Sequence, residues 1–350
     1  MAKKMMTEGF FKFTLTDTED GVSVRSYIGN QKSIIIPDTL GGYPVVRIGK
    51  NCFQEREIER IAFPSGLKSI GTCSFCGVSG LKEVYIPASV EEIAKNAFSD
   101  CPSIEKFTVD PGNPNFTSLS DGVLYNKTVS VVIYYPSGSA AGSYAMPQSV
   151  TEIKAGAFYA SENLVSVLFS PRLKKIGANA FEECIGLKKI MLPEGVETLG
   201  DYCFAGCTSL SKVELPSTLN EVGQNCFEYC TALVRLEIAE GLDYLPGGSF
   251  YGCENLREVV LPDSITELGP NAFYDCGALE EVIIPAYIER IGANCFSWCE
   301  KLKEVFIPSS VRYIGENAFC TLNDSVAVKL EEGASTDGFS DNWANGAKVL

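Results

Sequence analysis

The 350 residues contain no histidine. That one absence removes serine–histidine and cysteine–histidine nucleophiles, imidazole proton shuttles and histidine metal ligands together. Basic charge is also scarce, with 29 lysines and arginines against 44 aspartates and glutamates, a formal net charge of −15. A surface of that sign repels phosphate backbones and anionic lipid, so nucleic acid and membrane surfaces are not expected partners. No stretch approaches the roughly 20 consecutive apolar residues of a membrane span. The densest run, Val129 to Tyr135, is only strand-sized. The N-terminus MAKKMMTEGFFKFTLTDTEDG lacks the apolar core of a signal peptide, and as written the chain reads as cytoplasmic. A trimmed leader would instead place it outside the cell. Phosphate loops, dinucleotide fingerprints and cysteine–histidine sites are missing as well, so no cofactor is expected.

What the chain has in abundance is repetition. NAFYDCGALEEVIIP (Asn271 to Pro285) returns 23 residues later as NCFSWCEKLKEVFIP (Asn294 to Pro308). The phenylalanine of this phrase stands at 53, 75, 98, 158, 181, 204, 227, 250, 273, 296 and 319, and Phe158 to Phe319 is seven steps of 23. Five residues before each phenylalanine is an aliphatic residue, from Ile48 and Ile70 to Ile291 and Ile314. A period of this length with its apolar positions held marks a solenoid, whose coils bury their apolar faces only against each other.

After the phenylalanine comes a short alternating run such as Leu187 to Pro193, which predicts a strand with Ile190 and Leu192 inward and Lys189 and Met191 outward. The proline ends it, having no N–H to donate. Glycine is common four residues before the phenylalanine, but Ala94, Lys154 and Pro246 occupy the same register. Close packing therefore explains it better than a positive φ, since proline is locked near φ of about −65°.

The unit resembles the BspA-type (treponemal) leucine-rich repeat, which runs roughly L-x-x-V-x-I-P-x-x-V-x-x-I-G-x-x-A-F-x-x-C; Leu256 to Cys276 reads LREVVLPDSITELGPNAFYDC. The resemblance spans about residues 24–350. It implies an α/β fold, a curved solenoid forming a right-handed superhelix, with a parallel β-sheet on one face and short helical turns around A-F-x-x-C on the other. It also implies a bacterial or protist origin and, in several relatives, adhesion at a cell surface. On this plan residues 1–35 form an N-terminal cap hairpin, 36–106 leucine-rich repeats, 107–147 a modified repeat, 148–325 regular repeats and 326–350 a C-terminal cap. Within the modified repeat, Gly122 to Pro136 reads as a β-hairpin turning near Asn126-Lys127.

Cysteine stands three residues after the phenylalanine in seven units (Cys101, Cys184, Cys207, Cys230, Cys253, Cys276, Cys299) and one before it in four (Cys52, Cys203, Cys226, Cys295). Both registers face inward, where a thiol behaves as a small hydrophobe. Zinc on Cys203, Cys207, Cys226 and Cys230 is the sharper alternative, but the spacing merely repeats with the coil, and no metal is expected. Asn115, Asn126 and Asn323 match the glycosylation acceptor pattern, which without a leader reads as accident of composition.

Function has most freedom on the outward strand positions. Val260, Ile283 and Phe306 are expected to align as an apolar stripe edged by Glu258, Glu281 and Glu304; Lys189, Lys212 and Arg235 to form a basic strip beside Met191, Glu214 and Glu237; and Leu168 to extend the apolar set. An apolar patch with a charged rim suits a protein contact. The bland alternative is that a flanking loop or the curvature of the solenoid covers it. The expectation is a non-enzymatic scaffold binding a protein or peptide on its sheet face. The alternatives are a cell-surface adhesin for host matrix protein or glycan, and a hydrolase, which needs clustered carboxylates in a pocket.

Overall fold

A computed structural model describes residues 4–238, 240–321 and 326–350. The Asn323 acceptor match lies outside these residues. The chain divides into two compact units, one of residues 1–141 and 153–163, the other of residues 142–152 and 164–350. Both are β-solenoids whose regular coils pair through parallel strands.

In the first unit, strands Met6–Glu8, Phe11–Leu15 and Val22–Tyr27 pair antiparallel in order, and Val22–Tyr27 then pairs parallel with Tyr43–Ile48. Residues 116–134 fold into an antiparallel meander of Phe116–Ser118, Leu124–Asn126 and Val131–Tyr134. Its turn is held by Asn126, whose Oδ1 accepts the Ser130 and Val131 N–H groups at 2.9 and 3.0 Å.

Each regular coil carries two parallel strand positions, not the single sheet face expected. In the second unit the longer strands are Ser143–Ala145, Ser166–Leu168, Lys189–Met191 and Lys212–Glu214, paired in register. The shorter ones are two residues each, such as Lys175–Ile176, Thr198–Leu199 and Glu221–Val222. The short strand coincides with the aliphatic position five before the phenylalanine, whose neighbour points out while it points in.

The helical turns implied by the family resemblance are absent among the described residues. Around every phenylalanine the backbone is left-handed two residues before it, and in ten of the eleven coils also two residues after it. Asn179 and Glu183 flank Phe181 with φ of 57° and 59°, and Asn271 and Asp275 flank Phe273 with 57° and 58°. Such residues interrupt an α-helix. They also turn alternate N–H groups toward the next coil: Asn179, Phe181 and Glu183 donate to the carbonyls of Asp201, Cys203 and Ala205, each at 2.8 Å. Tyr202, Phe204 and Gly206 repeat the pattern onto Gln224, Cys226 and Glu228. Hydrogen bonds that a helix would satisfy internally run between coils instead.

Asparagine tolerates the left-handed region better than most residues, and it fills the first of these two positions in seven coils. Replacing Asn294 (φ 54°) with alanine is therefore expected to cost about 1 kcal/mol, whereas Asn294→Gly should stay within a few tenths of wild type. Urea unfolding measures both; equal stability of the two variants would remove the backbone argument.

The phenylalanines stack through the core. From Phe181 to Phe319 successive ring centroids lie 5.2–5.6 Å apart and within 10° of parallel, the spacing of offset aromatic pairs. In the first unit Phe53, Phe75 and Phe98 stack the same way at 5.0 and 5.1 Å. The glycine four residues earlier permits close approach, not a special φ: a Cβ on Gly223 would lie 2.2 Å from the Asp201 nitrogen of the preceding coil. After Phe319 the chain makes a further coil. Ala327–Leu330 pairs parallel with Glu304–Ile307, and Trp343 meets Phe319 edge-on at 6.1 Å.

Candidate functional site

The outward residues of the longer strands project from a backbone anchored by buried neighbours, as in Glu258-Val259-Val260 and Glu304-Val305-Phe306-Ile307. Among the described residues the apolar ones stand exposed. Leu168 and Ile283 are each 70% exposed, Phe306 51%, Met191 50% and Val260 39%. No flanking loop among the described residues lies over the stripe.

The stripe is less continuous than expected. Glu258 and Val259 pair with Glu281 and Val282, which sets Val260 beside Ile283. Phe306 belongs to a separate sheet that begins at Glu304. Of the rim carboxylates, Glu258 faces Arg235 at 3.6 Å and Glu304 faces Lys329 at 2.7 Å, so part of the acidic edge is already neutralised.

Two members of the basic strip are ion-paired as well. Lys212 pairs with Glu214 at 2.6 Å, and Arg235 reaches Glu237 at 3.9 Å as well as Glu258. Lys189 sits opposite Lys212 in register and opposite Ser166 on its other side. The long-strand sheet is interrupted between Glu214 and Arg235, and a groove of about 440 Å³ opens there, lined by Ser211, Lys212, Val213, Glu214, Leu215, Arg235 and Glu237. These strands alternate like those that do pair, so this opening carries no signature in the residue pattern.

The thiols have a role beyond filling space. Cys207, Cys230, Cys253, Cys276 and Cys299 each donate Sγ–H to the carbonyl of the phenylalanine one coil back, at 3.1–3.3 Å. Cys101 does the same to Phe75 at 3.0 Å. All are fully buried. Burial pushes the Cys253 thiol up to about 12, and that of Cys52 likewise to about 12 even though Arg25 and Arg56 pull the other way. A buried thiol held neutral and donating to a carbonyl is a poor nucleophile. Among the described residues no group of three or more His, Cys, Asp or Glu is arranged to hold a metal ion. No helix there is long and apolar enough to cross a membrane.

Parallel strand ladders, a stacked aromatic interior and outward variation define a leucine-rich repeat solenoid. The family model described as the BspA type leucine-rich repeat region matches in six copies, over residues 46–145, 134–246 and 220–336. The chain belongs to that family. Its fold is shared by crystal structures of bacterial proteins. A leucine-rich repeat protein of Bacteroides ovatus is 25% identical with a TM-score of 0.61, covering 99% of both chains. One from Eubacterium ventriosum is 20% identical with a TM-score of 0.64, over 89% of this chain and 93% of that one. The pneumococcal vaccine antigen PcpA is 19% identical with a TM-score of 0.55, over 99% and 98%. No protein of curated function matches the sequence.

Proposed function

We propose that the chain is a non-enzymatic scaffold that binds a protein or peptide on its long-strand face, with Val260, Ile283 and Phe306 as the apolar contact. The observation that supports this most is the exposure of Ile283 and Phe306, 70% and 51%, on strands whose inward neighbours are fully packed. Large apolar side chains held out by a rigid backbone lose little conformational freedom on binding. Leu168, Met191, Lys189, Lys212 and Arg235 extend the same face. The fit is to an apolar segment flanked by basic residues, because Glu281 beside Ile283 has no ion pair among the described residues.

The double substitution Ile283→Asp with Phe306→Asp tests this. Both side chains are exposed, so the urea midpoint is expected to stay at the wild-type value. Capture of partner protein by immobilised chain should fall by about 30-fold or more, the loss of one anchor of about 2 kcal/mol. Undiminished capture by the folded variant would rule out the face.

A further inference from the structure

A second concave site lies away from the long strands, where one coil departs from its neighbours. The three residues that begin four before the phenylalanine read Gly223-Gln224-Asn225 and Gly269-Pro270-Asn271 in the flanking coils but Pro246-Gly247-Gly248 between them. In no other of the eleven coils are both of the last two positions glycine. Two side chains are missing from that level, and a notch of about 320 Å³ results. That volume is at the small end of ligand sites.

Its walls have a consistent chemistry. Tyr244, 39% exposed, stands on a short strand paired with Glu267–Leu268. Tyr251 is braced by a parallel stack on Tyr274 at 4.8 Å and an edge contact with Tyr229 at 5.4 Å. Gln224, Asn225 and Asn271 bring planar amides and Glu228 a carboxylate. The Asn225 Nδ2 donates to Glu228 Oε2 at 2.9 Å, which fixes where both point, and burial raises the Glu228 carboxyl above its ordinary range. Among the described residues no lysine or arginine lines the notch.

We propose that this notch binds a neutral sugar residue. The part-exposed ring of Tyr244 accepts the apolar C–H face of a pyranose, while the amides and the Glu228 carboxyl offer the side-by-side donors and acceptors that neighbouring hydroxyls require. With one carboxyl group and no cation in its lining, the notch disfavours phosphorylated or carboxylated ligands. An apolar ligand would make no use of the Gln224 and Asn271 amides in the lining. The site shares no residue with the long-strand face and stands or falls independently of it.

Titration calorimetry of the full chain with the methyl glycosides of glucose, galactose, mannose and N-acetylglucosamine, and with choline, provides the test. At least one glycoside should bind with a Kd on the order of millimolar. Gly248→Asn restores the residue usual at this register, which asparagine occupies at positive φ in seven coils, and fills the notch: its Cβ would meet the Asn225 amide at 2.4 Å. Binding should weaken at least tenfold. Tyr244→Ala, an exposed position, should do the same even if Gly248→Asn is poorly folded. Gly156→Asn, the same substitution at another left-handed glycine, should leave binding unchanged. The proposal is overturned by an absence of binding for all four glycosides, by choline binding alone, or by glycoside binding that survives Tyr244→Ala.

Discussion

Replacing Phe227 with alanine is expected to destabilise the second unit by about 3–5 kcal/mol, the range for truncating a fully buried aromatic residue. The ring is 1% exposed and lies between Phe204 at 5.4 Å and Phe250 at 5.3 Å, within 8° and 2° of parallel. Its removal leaves a cavity that cannot collapse, because the N–H groups of Phe204 and Phe227 tie the three coils together through Cys226 and Ser249. In a stack of coils each unit is stabilised mainly by its two neighbours, so both interfaces weaken at once. Phe306→Ala, which removes an exposed ring, should change stability by no more than about 0.5 kcal/mol. A urea titration that shifts equally for the two variants would contradict the stacked core.

Alkaline pH should unfold the protein more sharply than its carboxylates and lysines alone explain. The Cys253 thiol is raised from 9.0 to about 12 by burial, and burial raises Cys203, Cys207, Cys230, Cys276 and Cys295 well above 9.0 too. In the folded state these groups keep their protons, whereas in the unfolded chain they release them near pH 9. Below pH 9 both states are neutral and the stability is fully present; above it the unfolded state gains by ionising, and stability is lost until the folded thiols titrate as well. For Cys253 the full interval corresponds to about 4 kcal/mol at 1.36 kcal/mol per pH unit. The Tyr134 phenol, pushed up by burial, adds in the same direction. The urea midpoint is thus expected to fall steeply from pH 8 to pH 10.5, with the buried thiols becoming reactive toward an aromatic disulfide only as the far-ultraviolet dichroism is lost. A flat midpoint over that range, or rapid labelling of these thiols at pH 8, would show that they are not held neutral in the interior.

Much of this architecture is legible in the residues because volume and alternation leave few options. A phenylalanine at a fixed step, with an aliphatic residue five before it, must stack to be buried. Lys189-Ile190-Met191 must turn its charged and thioether side chains outward, and Ile283 and Phe306 are outward for the same reason. The backbone around the phenylalanine is less legible. A short A-F-x-x-C segment suits a helical turn by propensity, but the bonds its N–H groups make to the next coil outweigh propensity. A usable signal was present: asparagine recurs two residues before the phenylalanine, and asparagine is the side chain that best accepts a left-handed φ. The thiol register is likewise visible, but not the carbonyl each thiol meets, since that partner lies 26 residues away. The interruption of the ladder after Glu214 left no mark at all. Strands Lys212–Glu214 and Arg235–Glu237 alternate like those that pair.

The coupling of coils through the phenylalanine segment is most directly measured by residue-resolved amide hydrogen exchange. Slow exchange should recur every 23 residues at the phenylalanine and at the residues two before and two after it, as at Asn225, Phe227 and Tyr229, whose N–H groups reach Gly247, Ser249 and Tyr251. If those amides exchange as fast as exposed loop amides while only the strand residues are slow, the coils are not joined along this line and the inter-coil account is wrong.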